Sequence, residues 1–491
     1  MASSAPHGVV AAGHPLSAKA GAEVLRAGGN AVDGALAAML TSFAAEALLT
    51  GLGAGGYMLV AGPGKEPVLL DFFVQAPTRR EDGEEAELLA VDVSFGDAVQ
   101  VFHIGPASCG AYGNPAGVAA ASARWGSVPL DELAAPAAEL AERGVALNAG
   151  QAYVAEILGD LLTSTPECAA LWAPEGRVLR EGETMRNPDL ADALRLLGRE
   201  GAEPFYRGEV AAAVCDWLSA RGGSLGPADL AGYGAVEREP VRMRYRDREI
   251  LTNPPPSAGG ILLAYSLGLL DRGSSPPSAQ ETVEAMAAAQ AERGAEFLDG
   301  LDAPGFLDRF VSSRLGSTTH ISVIDSSGMA CAVTCTNGEG SGVVVPGTGL
   351  HLNNVMGEED LNPLGFHLHP AGRRMPSMMA PSVVMCEDEV ELVLGSAGSN
   401  RIRSALLQTI VAVVDRGLDA RAAVEAPRLH FEDGVVYAEP GVDLEGIDPE
   451  LQVVRFGALN LFFGGVQAAL RRNGAISGAG DPRRGGAAEL V

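Results

Sequence analysis

Residues 318–336 constrain this chain more than any other stretch. Thr318-Thr-His-Ile-Ser-Val-Ile-Asp325 and Met329-Ala-Cys-Ala-Val-Thr-Cys-Thr336 both read as strands, and only Ser326-Ser327-Gly328 separates them. A three-residue hairpin loop favours a type I turn followed by a left-handed residue, and Gly328 stands where that residue falls. The loop fixes the register. Asp325 faces Met329, and counting back along the ladder brings Thr318 opposite Thr336. Directly opposed residues have Cβ atoms roughly 4.5–5.5 Å apart, so two threonine hydroxyls can hydrogen-bond there.

A facing pair of threonines is, by itself, ordinary strand packing. It acquires chemistry only if the peptide bond before Thr318 is cut. A threonine hydroxyl is a poor nucleophile at neutral pH and needs a base. A freed α-amine on the same residue, with an unperturbed pKa of about 7.7–8.0, can serve as that base. Gly316-Ser317-Thr318 supplies the small residues that self-attack on the preceding carbonyl requires.

The chain has 491 residues, 47% hydrophobic and 20% charged, enough for a large core. Its formal net charge of −27 argues against a nucleic-acid partner, whose binding needs cationic patches. The N-terminus lacks a basic segment followed by an apolar one, so no secretion signal is read and a cytoplasmic location is expected. The longest apolar stretch, Gly34 to Ala45, is about half a membrane span, so no membrane partner is expected. Six cysteines without CxxC spacing read as small buried hydrophobes in a reduced protein.

The first sixty residues read as two helices and a strand, with Ser17 capping the first helix and Asn30 or Asp33 opening a second, fully buried one. Helical spacing recurs over 133–143, 150–163, 187–199 and 209–220. From ~270 to ~317 the chain becomes polar and loop-rich, with a breaker at 273–278. Strands begin at Thr318, and the shift near 317 is the one boundary drawn. The acidic run Glu81 to Glu87 reads as a solvated loop. Gly51-x-Gly53-x-x-Gly56 matches the dinucleotide fingerprint, but it follows a helix and enters a strand, the reverse of the required order. It reads as tight backbone packing. His367-Leu-His369 has no ligand set around it, so neither a metal nor a cofactor is expected. His320 shares the face of Thr318 but lies about 6–7 Å along the strand, which suits a supporting role better than a catalytic one.

With these residues in view the chain resembles the γ-glutamyltranspeptidases over almost its whole length. The resemblance is carried early by His14-Pro-Leu-Ser-Ala, Val24-Leu-Arg-Ala-Gly-Gly-Asn-Ala-Val-Asp33 and Gly51-Leu-Gly-Ala-Gly-Gly56. In the middle it rests on Glu203-Pro-Phe-Tyr-Arg-Gly208, Asp229-Leu-Ala-Gly-Tyr233 and Pro254-Pro-Pro-Ser-Ala-Gly-Gly260. Late in the chain it rests on Thr318-Thr-His320, Gly347-Thr-Gly-Leu-His-Leu-Asn-Asn354 and Ala479-Gly-Asp-Pro-Arg483. The resemblance implies the four-layer αββα sandwich of the N-terminal-nucleophile hydrolases, an α/β fold. It implies self-cleavage at Ser317/Thr318 into a helix-rich large subunit, 1–317, and a small subunit, 318–491, that remain one structural domain.

It also implies roles. Thr318 would be the nucleophile and Thr336 the threonine that hydrogen-bonds it. Gly398 and Ser399, in Gly395-Ser-Ala-Gly-Ser-Asn400, fall where two glycines supply oxyanion-binding N–H groups. Ser377 matches the first of two serines that hold a substrate carboxylate, while the second position is Met378. Asn337 lies one residue before the place of a substrate-binding asparagine, which is Gly338 here. Glu358 takes the place of an amine-binding aspartate, with Glu359 beside it, and Val355 replaces a glutamine. The family's carboxylate-binding arginine follows an Asp-Phe pair, but here Asp71-Phe72 is followed by Phe73, with Arg79 and Arg80 the nearest arginines. The expected partners are a small-molecule γ-glutamyl or other acyl-amide donor and an amine or water acceptor. An amide acylase of different donor specificity, or an unprocessed ligand-binding relative, are the alternatives.

Overall fold

The computed structural model describes residues 6–80, 86–94, 99–292, 318–362, 365–398 and 400–491. The hairpin forms as its loop chemistry requires. Gly328 takes φ +82°, Asp325 N donates to Met329 O at 3.0 Å, and the ladder runs from Ile324↔Ala330 back to Thr319↔Cys335. Thr318 and Thr336 are the next residues beyond that last pair. The Asp325 carboxylate closes the turn by accepting from Ser327 N (2.8 Å) and ties it to a helix start by accepting from Ala31 N (2.9 Å).

This hairpin is the centre of a seven-stranded antiparallel sheet. Its order is 487–490, 9–12, 319–324, 330–336, 55–62, 65–72 and 236–238. A second antiparallel sheet has six strands in the order 475–480, 465–472, 389–397, 382–386, 248–252 and 241–245. The two-residue period of a strand sorts the side chains between layers. Ile321, Val323, Cys331, Val333 and Cys335 pack with the helix Ala31–Ala45, whose every residue is buried. Ile324, Ala330 and Ala332 face the other way and meet Val393 and Ala469 of the second sheet. Helices Gly259–Leu270, Ala279–Ala291 and Arg401–Val414 cover the far side of that sheet. The result is the expected αββα order. Each large apolar side chain buried this way contributes about 1.5–3 kcal/mol.

Asn30 caps the buried helix in a capping box with Asp33. Three local expectations are corrected. The cap of the first helix, Pro15–Arg26, is His14, whose Nδ1 accepts from Leu16 N, and not Ser17, which lies inside the helix and donates to Glu46. The stretch expected as loop after 270 contains the helix Ala279–Ala291, capped by Ser278 and Glu281, while 293–317 lie outside the described residues. A short strand, Val9–Ala12, precedes the first helix and pairs with the hairpin; four residues gave no readable period. Residues 81–85 of the acidic run also lie outside the described residues. No described helix is long and apolar enough to cross a membrane. The glycine motif packs as read: a Cβ on Gly53 would stand 2.5 Å from His351 O.

Candidate active site

The face of the hairpin that carries Thr318 is the one between the two sheets. Thr318 and Thr336 are both buried, and Thr336 Oγ1 accepts from Gly338 N at 2.9 Å. Along the same face His320 Nδ1 lies 2.7 Å from Thr334 Oγ1, and its Nε2 lies 2.9 Å from Ser322 Oγ. Burial pushes the His320 imidazole down to about 3, so it is neutral at ordinary pH. A Cβ on Gly395, in the opposite sheet, would run into the ring. His320 is thus a strut between the sheets, as a supporting role requires.

On the other face, Thr319 Oγ1 donates to Glu46 Oε2 at 2.6 Å, and Glu46 Oε1 accepts from Ser17 Oγ at 3.1 Å. Burial outweighs these two bonds and raises the Glu46 carboxyl from 4.5 to about 7. Sequence reasoning missed Glu46. Its signal was a lone carboxylate in the otherwise apolar stretch from Gly34 to Leu49.

The turn after Thr336 gathers the next predicted residues. Asn337 N donates to Leu49 O at 3.2 Å, and its side-chain amide, oriented to satisfy its neighbours, donates to Leu49 O (2.9 Å) and Gly338 O (3.0 Å). Those bonds hold the loop. Gly338 has φ +67°, and a Cβ there would strike Asn354 Oδ1 and Glu358 Oε1. The space of the family's asparagine is therefore filled by Asn354 and by Glu358, which is buried. Glu359 diverges from Glu358. Its side chain is 65% exposed and lies 4.0 Å from His103 Nδ1.

Ser377 Oγ accepts from Met379 N at 3.0 Å, and its carbonyl accepts from Ala258 N and Ser257 Oγ, while Met378 is buried against Ile261 and Leu262. Gly398, at φ +116°, ends the strand Glu389–Ala397 beside Gly464. Ser399 lies outside the described residues.

The Asp-Phe-Phe segment forms a buried knot. Asp71 pairs with Arg238 Nε (2.7 Å) and Arg374 Nε (3.2 Å), and Phe73 N donates back to Asp71 at 3.0 Å. The Phe73 ring is fully buried and stacks on Tyr57, with centroids 5.6 Å apart. Arg80 donates to Ser219 O at the surface. Arg374, unremarked in sequence, is committed to Asp71 and to the Phe73 and Gly234 carbonyls. Among the described residues no group of three or more His, Cys, Asp or Glu could hold a metal.

A family model described as gamma-glutamyltranspeptidase matches residues 17–315 and 307–491. The chain belongs to the gamma-glutamyltranspeptidase family. A glutathione hydrolase proenzyme of Bacillus subtilis (strain 168) is 30% identical, covering 98% of this chain and 91% of the relative. An acylase ACY 1 proenzyme of Pseudomonas sp. (strain SE83) is 32% identical over 89% of this chain and 85% of its own length. A solved cephalosporin acylase from Bacillus halodurans superposes with a TM-score of 0.84 at 25% identity, covering 99% of this chain and 96% of that one. The chain is accordingly an enzyme of the N-terminal-nucleophile hydrolase type, with glutathione hydrolases and acylases among its relatives.

Proposed function

We propose that the chain cuts itself before Thr318 and then transfers or hydrolyses an acyl group through an ester on the Thr318 hydroxyl. The observation that carries this is the ladder register, whose last pair, Thr319↔Cys335, leaves the buried Thr318 and Thr336 as the next residues on the two facing segments. In the proposed cycle the freed α-amine of Thr318 takes the proton from its own Oγ as Oγ attacks the amide carbonyl. The N–H groups of residues 398 and 399 receive the developing oxyanion, and the amine returns the proton to the departing nitrogen. Water or a second amine then releases the acyl group. In this cycle the Thr336 hydroxyl, which accepts from Gly338 N, donates to Thr318.

For the donor we propose an acyl amide other than a tightly clamped γ-glutamyl group. The supporting observation is Phe73, whose ring is part of the core where the family resemblance implies a carboxylate-binding guanidinium. Hydrogen bonds to charged groups are worth about 1.5–3 kcal/mol, so loss of that clamp weakens a glutamyl donor roughly 10- to 150-fold.

The test is direct. Purified protein on a denaturing gel should give two bands near two-thirds and one-third of the chain, and the smaller should begin at Thr318 by mass spectrometry. Thr318→Ala should remain one band and turn over nothing. Active protein with residue 318 still joined to its predecessor would overturn the mechanism. Turnover of γ-glutamyl-p-nitroanilide at an ordinary micromolar-to-millimolar KM would overturn the donor assignment alone.

A further inference from the structure

A narrow cavity opens at the end of the first sheet, between the Glu46 end of the buried helix and the turn 481–485. Its wall is mainly apolar, with Leu49, Val154, Trp172 and Met185. It adjoins the candidate site on two sides. Leu49 is the residue whose carbonyl holds Asn337, and Arg484, on the opposite wall, reaches toward Gly398. A Cβ on Gly398 would stand 3.3 Å from Arg484 Nη2, and one on Gly465 would overlap the Arg484 side chain. Two glycines therefore clear the path of this guanidinium.

The polar groups on the wall differ in what they are already doing. His14 caps a helix, Asn148 caps another, and Glu46 holds Thr319. Arg483 is fully enclosed, with bonds to both Glu439 oxygens, to Asp481, and to the Val424 and Ala426 carbonyls. Its neighbour Arg484 is the opposite case. Among the described residues its one hydrogen bond is a long one, 3.5 Å to Leu461 O, and its Nε has no partner. Desolvation and the nearby Arg401 push it down to about 10 against the opposing pull of the Asp481 and Glu339 carboxylates, neither of which forms an ion pair with it among the described residues, so it stays charged at neutral pH. A charge left this poorly paired in a largely apolar cavity is a site for an anion.

We infer that Arg484 is the carboxylate-binding residue of this site, and that the cavity takes a substrate whose apolar body ends in a carboxylate. This rests on the threonine mechanism above and supplies the specificity that Phe73 does not. The carboxylate can belong to the acyl chain or to the acceptor, and the experiment separates the two. On processed protein, kcat/KM is measured for glutaryl- and butyryl-p-nitroanilide, which share a leaving group and differ by one terminal carboxylate. Acyl transfer from whichever anilide is used faster is then measured to glycylglycine and to glycylglycinamide.

In each arm the readout is the charged-to-neutral ratio, which a general loss of folding or activity does not move. Arg484→Met should lower that ratio roughly 10- to 150-fold in one arm, as expected for losing a charged hydrogen-bonding partner. Arg484→Lys should retain part of it, because the charge remains but the two-pronged geometry is lost. A ratio unchanged in both arms, in a variant still processed at Thr318, overturns the role of Arg484 and leaves the threonine mechanism standing. Failure of processing in the parent protein overturns both.

Discussion

Two regions of the molecule have been held to different standards. Around Thr318 the requirements are met by the scaffold: a hairpin register, a glycine turn at 398, and the buried His320 side chain as a strut between two sheets. Around Phe73 and Gly338 the requirement is for particular side chains, and both positions have been absorbed into packing. The Phe73 ring is core, and the space beside Gly338 belongs to Asn354 and Glu358. Acyl-transfer chemistry depends on where N–H and hydroxyl groups are held, and two stacked sheets hold them whatever the substrate. Substrate selection depends on single side chains, which a core can take over with little change in fold.

The sharpest way to break this contrast is Gly398→Ala. The backbone there has φ +116°, and the new Cβ would stand 2.7 Å from Gly464 Cα, so the turn must move. If residue 398 supplies an oxyanion donor, kcat of processed protein should fall roughly 100- to 1000-fold. A loss below tenfold would mean that the backbone of this turn does not have the proposed role. The converse probe is Phe73→Arg. It should not restore a glutamyl clamp, because the guanidinium would enter a sealed pocket beside Tyr57. Calorimetric stability should drop by about 3–5 kcal/mol. A stable variant with a new preference for glutamyl donors would show that the position opens to substrate after all.

Glu46 adjoins the first region through Thr319, and its effect is read through pH. Its carboxyl is raised from 4.5 to about 7, so the folded protein holds a proton that the unfolded chain releases. The stability this proton provides is complete below about pH 4.5 and is lost as pH rises through about 7. Glu46→Gln, which keeps a hydrogen-bonding group but cannot ionise, should remove that slope, worth about 3 kcal/mol across the window. Denaturant titrations at pH 4.5 and 8 measure it. Parallel pH dependences in parent and variant would mean that Glu46 is ionised in the fold.

What the sequence disclosed follows the same division. The hairpin register was readable because one three-residue loop with glycine in the left-handed position admits a single alignment. The buried helix was readable because apolar residues run around its whole circumference. Glu46, Arg374 and Arg484 were not readable. Each owes its role to neighbours distant in sequence: Thr319 for Glu46, Asp71 for Arg374, and the glycines 398 and 465 for Arg484. The adjacent pair Arg483 and Arg484 shows the limit plainly. The residues are identical, yet one is a saturated structural ion and the other faces the cavity with one long bond.

The smallest expected effect tests whether His320 belongs with the scaffold or with the chemistry. Its position two residues after Thr318, on the same face, invites a role as proton carrier. Its surroundings oppose that: both ring nitrogens are engaged by hydroxyls, and burial holds it near 3, where it cannot exchange a proton at neutral pH. His320→Asn should therefore cost only about 1–2 kcal/mol of stability from altered hydrogen bonds. The inflection of kcat/KM against pH that the proposed mechanism assigns to the Thr318 amine should stay where the parent has it. A shifted or missing inflection in a folded, processed His320→Asn protein would move His320 into the proton path and end the distinction between backbone-held chemistry and side-chain selection drawn here.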